Sequence, residues 1–420
     1  MSDYNILGNK VRQKLLTYAR KLSQDFTKPK QRFIADMLTG TLSSNSSKLT
    51  DIGRELKEDI ELKKTVERLG RNLCEFSQGK ELMQNYLSTM KQVIGADTML
   101  LVDGGDVTKA CSPKMECIGS VKDGSTGKFA DGYWTMGAVA LSDKCRQPIP
   151  VYEELYPCKK QGGAGHSAET LKCLQHLREN FANDIVRLFD RGFDSGAIIT
   201  DLVKQDEKFI LRSNQNRVVI HKGKQTYIND VVRGLVCENE LVFESKSGNK
   251  NTCKIGMTQI LLPNIGNIRL NLVVCKQFGD KPLVLLTNLS EELEEIALRV
   301  VKVYLMRWRI EEFYGFKKQG LNFEDFRVRS LNSIKNLDLF LTIAVGFIGM
   351  LSDNKDTMLV MELISTSKRI PKFHKFMKHT KFFFYAVLDG MTRVLASLKY
   401  GISRFFLPQH KPLQLSLPFC

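Results

Sequence analysis

The segment VVKVYLMRWRIEEFYGFKKQG, residues 300–320, constrains this chain more than any other. On a helical wheel of about 100° per residue with Tyr304 at the origin, Arg307, Glu311 and Lys318 fall at roughly −60°, −20° and −40°. Those four polar residues share one stripe. The other faces carry Val303, Leu305, Met306, Trp308, Ile310, Phe313 and Phe316, so a helix from about Glu291 to Lys318 is predicted to be buried nearly all round. A carboxylate on a buried helix must be paired or must hold a cation, because its desolvation is otherwise costly. The simpler alternative is an internal i,i+4 pair of Arg307 with Glu311.

Two further carboxylates follow apolar runs. Asp103 closes TMLLVD and Asp190 closes IVRLFD; carboxylates at the carboxyl ends of core strands face the crevice where α/β sheets place their sites. Either one alone is also ordinary turn chemistry. Asp106 competes with Asp103 for the first position, which goes to Asp103 because it directly ends the strand. Glu312 lies about 100° off the stripe, and Asp194 reads as the N-cap of the next helix. Strand-like runs DTMLLVD, GYWTMGAVALSD and PIPVYEEL precede a helix from Ser167 to Asn180, which Ser167 caps. The strand DIVRLFD, the helix SGAIITDLVKQ and the strand KFILRS come next. Three strands in succession and then strand-helix units describe an α/β chain with a mixed sheet, parallel in one half. Residues 213–289 hold strand-like runs (RVVIHK, LVFES, IRLNLVVCK, PLVLLTN) and are read as an all-β insertion.

The first 92 residues read as short helices with short breaks, the form of a helix-turn-helix-like DNA reader. Between Lys10 and Arg32 there are eight basic residues and one acid, Asp25; a solvated basic face is the alternative. Over the whole chain 62 Lys and Arg stand against 46 Asp and Glu, a formal charge of +16, which points to a polyanion as partner and away from small neutral metabolites. The longest uncharged apolar run, Leu339–Leu351, is too short to cross a bilayer, and the start lacks an apolar leader. The chain is therefore expected in the cytoplasm, associated with the bacterial nucleoid and with no membrane partner. Ten Cys without a CxxC pair fit a reducing compartment and no disulfide framework. His166, Cys173 and His176 are the one loose grouping of metal-type residues, read as structural.

Tyr304-x2-Arg307-x3-Glu311-x6-Lys318 resembles the YREK signature of IS4-type DDE transposases, and WRIEEF around it is also similar to that group. Asp190-Arg-Gly-Phe-Asp194 looks like the second-Asp motif, and LLVDGGDVTK with KMECIGSVKDGSTGKFADGYW looks like the first-Asp region, all in order across about residues 95–345. The resemblance implies an RNase H-like core in which Asp103, Asp190 and Glu311 hold two divalent ions, Mg²⁺ with Mn²⁺ as substitute. Carboxylate oxygens suit such hard cations. It implies DNA contact by Tyr304, Arg307 and Lys318, Arg being suited to bidentate phosphate binding. One departure concerns the hairpin step: some relatives hold a flipped base with a Trp in the last strand of the insertion, where Leu283 stands here.

The expected organisation is a helical DNA-binding region (1–92), a first core part (93–212), the β insertion (213–289), a second core part with the Glu-bearing helix (290–352) and a basic C-terminal region (353–420). From Lys368 to Lys411 that last region has ten Lys and Arg against Asp389 alone, interleaved with Phe373, Phe376, Phe382, Phe383 and Phe384, and is read as a surface for the partner chain or its DNA. The resemblance implies a cut-and-paste transposase acting on double-stranded DNA, both terminal inverted repeats and target, as a homodimer in the DNA complex. Two alternatives are a catalytically silent transposase-derived DNA-binding protein and an RNase H-like nuclease without strand transfer.

Overall fold

The computed structural model describes residues 3–95, 98–109, 112–142, 147–158, 161–244, 250–290, 293–353, 357–369 and 382–406. Five helices lead: α1 (Asp3–Ser23), α2 (Lys28–Ser44), α3 (Leu49–Glu55), α4 (Leu62–Glu75) and α5 (Gly79–Met90). Pro29 sits in the first turn of α2, where its missing N–H costs nothing, and Asn45 ends that helix at φ 51°. Leu15, Leu22, Ile34, Leu38, Leu69 and Leu73 turn inward and are fully buried.

The sheet begins with β1 (Thr98–Thr108), β2 (Gly119–Lys122), β3 (Phe129–Ser142) and β4 (Ile149–Tyr156). After α6 (His166–Asn180) come β5 (Arg187–Phe189), α7 (Gly196–Lys204) and β6 (Phe209–Arg212). β1 pairs antiparallel with β3, which pairs antiparallel with β4; β1 pairs parallel with β5, and β5 with β6. The order β4-β3-β1-β5-β6, half antiparallel and half parallel, is the RNase H-like arrangement that the resemblance implies. β1 does not end at Asp103. It runs on to Thr108, because the 14-residue β3 keeps pairing with it past Asp103↔Gly137 as far as Thr108↔Gly132.

The insertion supplies β7 (Val218–His221), β8 (Lys224–Tyr227), β9 (Asn239–Glu244), β10 (Lys250–Leu262), β11 (Ile268–Lys276) and β12 (Leu283–Thr287). It also holds one two-turn helix, α8 (Ile228–Gly234), which buries Ile228, Val231 and Val232. β12 pairs with β6, so the insertion prolongs the core sheet, which has twelve strands among the described residues.

The long helix is two. α9 (Leu293–Tyr304) passes through a 3-10 turn at Leu305–Arg307 into α10 (Trp308–Gly320), and Trp308, expected inside, is 59% exposed at the joint. Two cap assignments also change. α6 starts one residue before Ser167 behind Gly165 at φ 90°, a conformation open to glycine, and α7 is capped by Ser195, whose Oγ accepts from the Ile198 N–H at 3.3 Å. Asp194 instead accepts from the Asn214 N–H at 2.6 Å and pairs with Arg217 at 2.5 Å.

Among the described residues three helices follow: α11 (Leu331–Asp353), α12 (Thr357–Thr366) and α13 (Phe384–Ala396). The span Leu331–Ser352 is long and apolar enough to cross a membrane, longer than the run the sequence suggested, yet most of it is buried inside the protein. It is the central core helix, packed on β4, α2, α4 and α5. Tyr18 of α1 donates to the Ile343 carbonyl at 3.1 Å, so the leading helices share this core. The described part of the Phe-rich stretch is inside as well: Phe384 is fully buried, and Phe382, Phe384 and Tyr385 meet the Phe316 ring edge-on. For Phe384 that corrects the reading as a surface, while Phe382 and Phe383 are half-buried; residues 370–381 and 407–420, with Phe373, Phe376 and Lys411, lie outside the described residues.

Candidate active site

Val102 pairs with Phe189 in the parallel β1–β5 ladder, so Asp103 and Asp190 take consecutive register positions on neighbouring strands about 5 Å apart. α10 packs against β1 and β3. Arg307 joins the groups: Nη1 donates to Asp103 Oδ2 at 2.8 Å and Nη2 to Glu311 Oε1 at 2.7 Å. The i,i+4 pair with Glu311 is present, but it is half of a fork whose other tine holds Asp103. Asp190 lies beside them, with Tyr304 Oη 3.5 Å and Arg212 Nη1 3.9 Å from its Oδ1. The structure thus brings Asp103, Asp190, Tyr304, Arg307 and Glu311 together.

Electrostatics follow from burial. The Asp103 carboxyl is pushed up to about 7, by burial first and by the nearby charges of Asp190 and Glu311, against the pull of Arg307 and the Gly104 N–H. For Arg307 burial alone would ease the proton off; Asp103, Tyr304 and Asp190 outweigh it and hold the guanidinium above its ordinary value. Tyr304 is pushed up to about 12, again chiefly by burial. This is a site with more negative charge than one arginine neutralises, built from oxygen donors that suit Mg²⁺. The donor chemistry fits a divalent cation, although, as the side chains stand, Arg307 sits between two of the carboxylates and no three His, Cys, Asp or Glu side chains among the described residues group tightly enough to bind one ion.

Lys318 is elsewhere. It lies on the same helical stripe but two turns beyond Glu311, about 10 Å along the axis. There it pairs with Asp106 at 2.7 Å and Glu324 at 3.1 Å. Asp106 also accepts from the Gly124 N–H at 3.0 Å, so each of its oxygens has one partner. His166, Cys173 and His176 have three separate surroundings: His166 lies against Tyr156 and Phe193, His176 against the Val151 carbonyl and Tyr152, and Cys173 is in the core.

Two residues at the site were not singled out from the sequence. Arg212 ends β6, and nothing in its local pattern marks it. Tyr314 could have been found, since it falls at roughly −80° on the wheel that gathers the stripe. Burial drives its hydroxyl pKa well up, and the ring lies over Gly105 and Gly137. A Cβ added at Gly137 would meet Tyr314 Oη at 2.4 Å.

Among solved structures, the cryo-EM structure of a piggyBac transposase synaptic complex with hairpin DNA is similar at a TM-score of 0.46 and 10% identity, over 98% of this chain and 87% of that one. Residues 156–347, just under half of the chain and including Asp190, Tyr304, Arg307, Glu311 and Lys318, match the family of the transposase DDE domain.

Proposed function

We propose that this protein is a DNA transposase of IS4 type that cleaves the ends of its element and joins them to target DNA by metal-dependent phosphodiester hydrolysis and strand transfer. The observation that carries the reading is the meeting of Asp103 within β1, Asp190 just past the end of the neighbouring β5, and Glu311 of α10 around Arg307. Asp103, Asp190 and Glu311 would hold the divalent ions. When bound, these would activate the attacking hydroxyl and stabilise the leaving oxygen. Arg307 and Tyr304 lie where a scissile phosphate would approach, and the planar guanidinium suits two phosphate oxygens as well as two carboxylates. Trp308, exposed one residue from Arg307, supplies an aromatic face for an unstacked base, a role the buried Leu283 cannot fill. Two copies acting on two element ends complete the proposal, with the chain working in the cytoplasm on chromosomal DNA.

The test is incubation of the full chain with labelled duplex carrying the DNA that flanks its gene, with and without Mg²⁺, followed by sizing of the products. Metal-dependent nicking at a fixed position and joined products are expected. Binding without any cleavage in Mg²⁺ or Mn²⁺ would overturn the enzymatic reading, and cleavage without joined products the strand-transfer step.

A further inference from the structure

A second charged feature lies beyond the carboxylate site, where β1 reaches Thr108. There Lys48, Lys109, Lys114, Glu324, Arg327 and Arg329 line a cleft of about 650 Å³. Its carboxylates are engaged. Asp325 is held by Lys48 at 2.8 Å, and Glu324 accepts from the Thr108 N–H at 2.8 Å and pairs with Lys318 at 3.1 Å. Its remaining cations are not matched. Lys109 Nζ spends its hydrogen bonds on the main-chain carbonyls of Glu324 and Phe326, at 2.6 and 2.8 Å, and sits 4.4 Å from the centre of the Phe326 ring. Among the described residues no carboxylate lies within ion-pair distance of Lys109, Lys114, Arg327 or Arg329. Burial holds Lys109 below the ordinary lysine range, with Arg327 and Lys48 adding to that effect against Asp325 and Glu324. The cleft is therefore a region of uncompensated positive potential.

Resting on the transposase reading above, we infer that this cleft is a binding site for the phosphate backbone of DNA. Its chemistry selects the backbone and not the bases: the one aromatic ring in its wall, Phe326, is 1% exposed and already covered by Lys109, so no platform is open for stacking. Its place selects a polymer. Lys109, the residue after the end of β1, lies six positions from Asp103, roughly 20 Å at strand rise, which is about six phosphates of one duplex strand. The bridge Asp106–Lys318–Glu324 spans the interval and ties the cleft wall to the catalytic helix. A duplex cut at the carboxylates therefore reaches the cleft with its own backbone. Element-end DNA and target DNA share that chemistry.

The test compares the full chain with K114Q/R327Q/R329Q and with the charge-conserving K114R/R327K/R329K, all at exposed positions. Binding of two fluorescein-labelled duplexes, one carrying the gene's flanking DNA and one unrelated, is followed by anisotropy over a salt series. The neutral variant leaves three phosphates without a cation, so its slope of log K against log salt is expected to become shallower by about 2 to 3, while the charge-conserving variant keeps the wild-type slope. A shallower slope on the flanking duplex together with lost end cleavage assigns the cleft to element ends. A shallower slope on the unrelated duplex, with end cleavage kept and joining lost, assigns it to target. An unchanged slope in the neutral variant, where the wild-type chain binds and cleaves, overturns the cleft alone; a wild-type chain that binds neither duplex overturns the transposase reading with it.

Discussion

Tyr314 Oη donates to the main-chain carbonyl of Asp103 at 2.8 Å. The bond runs from the helix that carries Glu311 to the strand that carries Asp103, so it fixes the spacing between two of the proposed metal ligands. Gly137, the register partner of Asp103, leaves the space that the hydroxyl occupies. Tyr314→Phe is expected to cost about 1 kcal/mol of stability and roughly tenfold in cleavage rate, with DNA affinity unchanged, because displacing a ligand slightly affects rate more than binding. Gly137→Ala should be worse. Single-turnover cleavage and binding isotherms on both variants check this, and equal losses in affinity and rate would argue against a positioning role.

Asp103→Ala, Asp190→Ala and Glu311→Ala are each expected to abolish cleavage while leaving end binding nearly intact. Asp106→Ala is the contrast. It removes one of the two carboxylates that hold Lys318, so thermal stability falls, but cleavage should stay within about tenfold of wild type. A dead Asp106→Ala beside an active Asp103→Ala would exchange their assignments.

Trp308→Ala tests the exposed aromatic at the helix joint. Truncating an exposed side chain should leave melting unchanged. If the ring stacks on an unpaired base, it should slow steps that need the duplex end opened by on the order of tenfold or more, since one base–aromatic stack is worth about 1–3 kcal/mol. The measurement is the rate of first-strand nicking against the later step on the same labelled duplex.

Asp36 gives a pH prediction independent of the site. Its side chain is 1% exposed and takes Arg68 at 2.8 Å, and its carboxyl is pushed up to about 6, by burial first, against Arg68 and Arg32. A carboxyl raised above its unfolded value keeps its proton longer in the folded chain. Its contribution is therefore fully present below about pH 4 and is lost as pH rises through 6. Against Asp36→Asn, which does not titrate, the wild-type chain should lose on the order of 3 kcal/mol across that window. Denaturant unfolding of both proteins at several pH values checks the sign; a difference that grows in the opposite direction refutes it.

Light scattering of the complex with flanking DNA tests assembly. Two chains holding two ends are expected, and one chain per end with no pairing would rule out the synaptic dimer.

The sequence by itself determined the mixed sheet, parallel in one half, and singled out Asp103, Asp190 and Glu311 as candidate carboxylates, which the fold brings near one another. Apolar runs ending in Asp103 and Asp190 and a buried helix with one polar stripe are local patterns, and local patterns survive translation into structure. Only the tertiary structure decided the rest. β1 continues past Asp103 because β3 is there to pair with it, and a strand's length is set by its neighbour. The stripe that looked like one site is divided between Glu311 and Lys318, because a wheel records angle and not the roughly 10 Å between two turns. Whether Trp308 faces solvent depends on the 3-10 turn before it, and whether Phe384 is surface or core depends on Phe316, which lies 68 residues earlier in the chain. The basic cleft joins Lys48, Lys109 and Arg329 from three distant segments, and no spacing along the chain announces it.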